Sequence, residues 1–262
     1  MPNPVFYTSL LAIVLITVGW QLYLDNSPSD AVQDPRATVQ EPIEVFPDFA
    51  AVVDIDVRKQ QFFSFLKDHI FAANAQVLET RRQLRSHDRV VAGGNPLSPK
   101  ERAWVLQLAD EYELDASELD EREITAELMK RVDEVPIAMA LAQAANESAW
   151  GTSRFALEGN NIFGQWCFEE GCGLIPLRRR RNASHEVRKF ESVSESVIAY
   201  IKNINTHYSY EGLRELRARM RQRNESLNAI ELAAGLGAYS ERGESYVDEV
   251  QNLIIQNELD QF

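Results

Sequence analysis

The chain has 262 residues, 45% of them apolar and 26% charged, which is enough to bury a sizeable core and unlike a disordered protein. The formal net charge of −13 argues against non-specific nucleic-acid binding, which depends on Lys and Arg neutralising phosphates. The acidity is uneven: residues 25–135 hold 23 acids and 13 bases, whereas residues 136–262 hold 17 acids and 14 bases.

Residues 5–24, from Val5 to Leu24, carry no charge. At ~1.5 Å per residue a helix of this length crosses a hydrocarbon core ~30 Å thick. Trp20 and Tyr23 lie where an aromatic belt is expected. The segment reads as an uncleaved inner-membrane anchor, with a cleaved signal peptide as the alternative; no A-x-A site follows it. Both place the body outside the cytoplasm. Residues 25–54 contain Pro28, Pro35, Pro42 and Pro47 and no apolar periodicity, and read as a linker.

Residues 55–135 form a helical N-terminal region. Phe62, Phe63, Leu66, Ile70, Ala73, Val77 and Leu84 recur at helical steps, predicting a long amphipathic helix from Val57 to about Arg85, before the Gly93-Gly94-Asn95-Pro96 breaker. Ser98 followed by Pro99 opens a helix through Tyr112, and a short helix spans Ile124 to Arg131.

Pro136 opens the last segment, residues 136–262. Ile137, Ala140, Leu141, Ala144 and Ser148 make a stripe of apolar or small residues, and Gly151 supplies a stop. Glu147 falls on that inward stripe, a costly place for a carboxylate. Burial there disfavours the charged form, which suits a proton donor; a satisfied structural Glu is the other reading. Asn160-Asn161-Ile162-Phe163-Gly164 is turn-like. Residues Trp166–Ile175 and Glu186–Phe190 have the composition of short strands around Arg178–Arg181, a run expected at a solvated hairpin tip. Ser192 and Glu195 suggest a capping box, and Val197, Ile198, Ile201 and Ile204 are expected to point inward from the helix that follows. Leu213–Met220, Leu227–Ala234 and Tyr246–Ile255 complete a helical tail.

Cys167 and Cys172 flank a plausible turn, and in an oxidising compartment a disulfide is the default. The four histidines form no metal-ligand spacing with them, so neither metal nor cofactor is expected.

The string Gln143–Gly151, followed by Asn160–Gly164, resembles the signature of the bacterial glucosaminidases of glycoside hydrolase family 73, which include flagellar wall hydrolases and autolysins. The Phe-rich helix, the Trp166-Cys167 and Gly171-Cys172-Gly173 elements and Asn205-Thr206-His207 are similar to its Bax-type members. The resemblance implies a mainly α, lysozyme-like helical domain with a small β-hairpin lobe. It implies cleavage of β-1,4 bonds after N-acetylglucosamine in peptidoglycan, with glycan strands as the partner and Glu147 as the acid. Tyr239 matches the family's site tyrosine, and Tyr246 a second tyrosine at longer spacing than usual. A second carboxylate in the β-lobe is expected among Glu169, Glu170 and Glu186, and Glu186 is the choice because a strand aims it at one face. Phe163, Trp166, Tyr239 and Tyr246 are candidate substrate contacts, with Asn160 and Asn161 ordering the loop beneath the glycan. A lytic transglycosylase on the same fold, or a non-catalytic wall-binding scaffold, are the alternatives.

Overall fold

In the computed structural model, residues 46–177 and 184–262 are described; the apolar segment 5–24, the linker up to residue 45 and the Arg178–Arg181 run lie outside them. The chain divides into two units, residues 1–40 and 41–262, and the second contains every element below.

Helix α1 spans Ile55–Ala92, 38 residues, roughly 57 Å at the usual rise. Asp54 caps it, its Oδ1 accepting from the amides of Asp56 and Val57 at 3.0 Å each. The helix outruns the expected end at Arg85 because nothing before Gly93 breaks it, and Leu84 and Val91 anchor its second half. Its two halves serve different cores. Phe62, Phe63, Leu66, Ile70 and Ala73 join the main core, whereas Leu84 and Val91 pack with helices α2 (Pro99–Glu111) and α3 (Glu121–Arg131). Capping boxes Ser98/Glu101 and Asp120/Glu123 start those two helices, so α3 begins three residues before Ile124.

Helix α4 (Ile137–Ser148) runs through the main core, buried on nearly every side. Its run of alanines lets α1 and the last helix, α9 (Glu244–Gln256), approach closely. Around it stand α5 (Arg154–Gly159), α6 (Val193–Thr206), α7 (Glu211–Gln222) and α8 (Ala229–Ala233). On α6 the side chains of Val197, Ile201 and Ile204 are buried as expected, but Ile198 is 44% exposed. It sits one position after Val197, about 100° round the helix, and so falls off the inward stripe.

Three short antiparallel strands make a small sheet in the order β1-β3-β2: β1 (Trp166–Cys167), β2 (Gly173–Leu174) and β3 (Glu186–Arg188). The segment expected as one strand from Trp166 to Ile175 is split by the Cys167–Cys172 disulfide loop, and its two ends pair with opposite edges of β3. Gly173 is required there: a Cβ would sit 2.0 Å from the Val187 carbonyl oxygen. The molecule is thus mainly helical with one small sheet. Among the described residues no helix is long and apolar enough to cross a membrane.

Candidate active site

Glu147 occupies the last turn of α4, where the helix must end sharply. Ala149, Trp150 and Gly151 all take positive φ, and a Cβ on Gly151 would meet Phe49 at 2.6 Å. Ser148 holds this turn: its hydroxyl donates to the Ala144 carbonyl at 2.6 Å and accepts from the Gly151 amide at 2.8 Å. Trp150 packs edge-on against Phe62 and Phe63 of α1. The N-terminal helix therefore braces the turn that carries the acid.

The loop from Asn160 to Gly164 faces it. Asn160 is in the left-handed region and donates to the carbonyls of Phe190 and Glu191 at 3.1 Å each. Asn161 is buried and donates to Gln165 and Arg188 carbonyls at 2.9 and 2.7 Å. Asn161 ties the loop to β3, and Asn160 ties it to the segment just after β3. Gly164, at φ +67°, brings bare backbone to Glu147, and an added Cβ would lie 3.6 Å from Oε2. Phe163 is 2% exposed and stacked on Tyr200 at 3.8 Å, so its ring belongs to the core and offers no face to a sugar. Trp166 differs: it is 56% exposed and stacked at 4.0 Å on His185, with the rest of the indole open.

Two tyrosines follow, rings parallel and 5.4 Å apart. The Tyr239 hydroxyl donates to the Phe163 carbonyl at 2.9 Å, pinning the loop. Tyr246 is fully buried; its hydroxyl accepts from Gln143 Nε2 at 2.9 Å and lies beside the Glu147 carboxyl, whose charged form it favours. Of the pair, Tyr246 is the one that reaches Glu147. Its burial removes it as a sugar-stacking surface.

Burial pushes the Glu147 carboxyl above the ordinary carboxylate value, and the negative charge of Glu249 adds to the effect. The Tyr246 hydrogen bond and the Arg242 guanidinium oppose the shift without cancelling it. Arg242 and Glu249 pair at 2.6 Å, and the guanidinium also lies over the Tyr246 ring at 5.4 Å. An open groove of about 520 Å³ is lined by both, with Ser245, Asp248, Asn252 and Gln256.

Glu186 is buried on β3, and its carboxylate accepts from the Gly171 and Gly173 amides at 3.2 and 2.8 Å. One of its oxygens and both sulfurs of the disulfide lie within 4.8 Å of one another. The carboxylate holds the disulfide loop against the sheet. Both cysteines are consumed in the disulfide, so this trio does not offer a thiolate metal site.

Sequence reasoning missed Gln143, Tyr200, Arg242 and Glu249. Gln143 could have been found, since it lies four residues before Glu147 on the same helix face. Glu249 likewise lies one turn after Tyr246. Nothing local points to Tyr200, which arrives from α6.

A half-buried acid at a helix end, beside a tyrosine hydroxyl and faced by a glycine-bearing loop, is a setting suited to proton donation to a glycosidic oxygen. Residues 122–259 match the glucosaminidase family, described as mannosyl-glycoprotein endo-beta-N-acetylglucosaminidase, and the chain belongs to that family. The match begins inside α3, earlier than Pro136.

Among characterised relatives, the protein bax of Escherichia coli (strain K12) is 33% identical over 189 residues, covering 72% of this chain and 66% of bax. The match thus spans just under two thirds of that relative's length. A solved structure, the catalytic domain of the autolysin Auto from Listeria monocytogenes, is 16% identical and aligns over 84% of this chain and 99% of its own, with a TM-score of 0.42.

Proposed function

We propose that the protein is a peptidoglycan hydrolase of the bacterial envelope that cleaves β-1,4 bonds after N-acetylglucosamine, with Glu147 as general acid. Membership of the glucosaminidase family supports the reaction class. The observation that carries the assignment is the half-buried Glu147 carboxyl in the last turn of α4, faced by the bare backbone of Gly164, where burial favours its protonated form.

A carboxyl whose protonated form is favoured by burial delivers its proton to the leaving oxygen as the glycosidic bond lengthens. The resulting carboxylate keeps the Tyr246 hydrogen bond, which favours the charged form and eases the transfer. Trp166 presents an open indole, the kind of surface a sugar ring stacks on, two residues beyond the Gly164 backbone that meets Glu147. We assign Tyr239, Asn160 and Asn161 to holding the loop. Glu186 we assign to holding the β-lobe, because two backbone amides already occupy its carboxylate. The catalytic part is taken as residues 136–262 in a lysozyme-like arrangement, braced by α1, with residues 5–24 as a membrane anchor.

The test is release of soluble fragments from purified cell-wall sacculi by wild type and Glu147→Gln. General acid catalysis contributes ~10²–10⁴-fold, so a loss of at least ~10²-fold is expected. Equal release by both proteins refutes the assignment. Mass spectrometry of the products separates the chemistries: reducing ends support hydrolysis, and 1,6-anhydro ends would make the enzyme a lytic transglycosylase.

A further inference from the structure

Beneath Glu147 runs a buried chain of hydrogen bonds. The Tyr200 hydroxyl donates to Gln143 Oε1 at 2.6 Å, and Gln143 Nε2 donates to the Tyr246 hydroxyl at 2.9 Å. Tyr200, Gln143 and Tyr246 are each 0% exposed, so solvent does not reach any of them.

A carboxamide has one donor end and one accepting end, and a phenol has a single hydrogen. With the Gln143 oxygen turned to Tyr200, its NH2 must face Tyr246. Tyr246 then accepts from Gln143, and its one hydrogen is left for Glu147. Were the amide turned over, its oxygen would draw the Tyr246 hydrogen away from the acid.

We propose that Tyr200 and Gln143 are positioning residues for the reaction, which set the direction in which Tyr246 offers its hydroxyl hydrogen to Glu147. The proposal rests on the reading of Glu147 as the general acid. The Tyr200 ring also stacks on Phe163 at 3.8 Å, so the same side chain that orients the amide supports the loop carrying Gly164. Every link is an uncharged group in a dry interior, where a hydrogen bond is strong and a misdirected one is costly.

The groups that act on Glu147 come from several elements: Tyr246 and Glu249 of α9, Arg242 just before it, Tyr239, Tyr200 of α6, and Tyr210 in the turn after α6. Burial raises the tyrosines above their ordinary range, so none of them titrates where a buried carboxyl does. A change in the alkaline limb of the pH profile therefore reports on the acid.

The experiment measures kcat against pH on soluble glycan strands with the full chain. Glu147 must be protonated to act, so activity falls as pH rises through its pKa. Tyr246→Phe removes a bond that favours the carboxylate, and the limb is expected to move to higher pH. Tyr200→Phe keeps the ring stack but frees the amide to turn, and its limb is expected to move in the same direction although Tyr200 does not touch Glu147. Gln143→Met cannot draw the Tyr246 hydrogen away, so its limb is expected near the wild-type position, whatever the loss in rate. A Tyr200→Phe limb that stays at the wild-type pH overturns the proposal, as does a Gln143→Met limb that moves as far as that of Tyr246→Phe. Both results leave Glu147 as the acid, provided Glu147→Gln is inactive. Full activity in Glu147→Gln sinks the acid and the positioning role together. Circular-dichroism melting of each variant confirms that the compared proteins are folded.

Discussion

Asp133, in the loop between α3 and α4, is the anion of a buried cluster with an excess of arginines. Its side chain is 2% exposed. Arg221 grips it with two bonds of 3.0 and 2.9 Å, Arg81 lies at 3.3 Å, and Arg217 Nε at 4.0 Å. Arg217 is 1% exposed, and burial pushes its guanidinium down to about 10, a sign of how poorly that charge is solvated. Substituting Asp133→Asn keeps the shape and removes the carboxylate that contacts all three arginines. Breaking a buried pair this way typically costs ~3–5 kcal/mol. For a domain of this size each kcal/mol lowers Tm by ~2–4 °C, so a loss of about 6–20 °C is expected.

The assay is thermal unfolding followed by circular dichroism at neutral pH. The pH dependence gives a second check. Burial by itself would raise the Asp133 carboxyl, but the Arg221 hydrogen bonds and the charges of Arg217 and Arg81 outweigh it and hold it below its unfolded value of 3.8. A lowered native pKa means the stabilisation is complete above 3.8 and is lost as pH falls through the native value. The gap between wild type and variant should therefore narrow below pH 3.8. A variant that melts within about 3 °C of wild type at neutral pH would mean that solvent already compensates these arginines, refuting the reasoning.

Three other outcomes follow from the site. Arg242→Gln removes a cation that favours the Glu147 carboxylate, so the alkaline limb of kcat should rise in pH; Glu249→Gln removes an anion and should lower it. Shifts in the same direction would rule out electrostatic control by this pair. Glu186→Gln leaves the Gly171 and Gly173 amides with a poorer acceptor, costing ~1–3 kcal/mol in a melting experiment, while activity should fall far less than in Glu147→Gln. A folded but inactive Glu186→Gln would make Glu186 the reacting carboxylate. Reducing the Cys167–Cys172 disulfide, which closes a six-residue loop, should cost ~2 kcal/mol by loop entropy; an unchanged melting temperature in reductant would count against it.

The helices were legible because their signals are local. Caps at Ser98 and Ser192, the 3.6-residue stripe of α1 and the alanine face before Glu147 are all written in neighbouring residues. Local signals also place Glu147 on the inward stripe of its helix, where it is half-buried. The sheet was less legible: strands of two or three residues have no period to read, and the pairing order β1-β3-β2 is a property of contacts. The same holds for the partners of Glu147. Tyr239 and Tyr246 are close in sequence and look alike, yet packing turns one hydroxyl to the Phe163 carbonyl and the other to the acid. Phe163 and Trp166 could both have faced a glycan, and burial of one against Tyr200 separates them. Glu186 stood out as a strand carboxylate, but only folding puts two amides on it. Sequence by itself determined the scaffold, through caps, period and composition, and its motifs singled out Glu147 as the candidate acid. Tertiary structure decided what each polar group is bonded to, because a hydrogen bond depends on where distant segments meet.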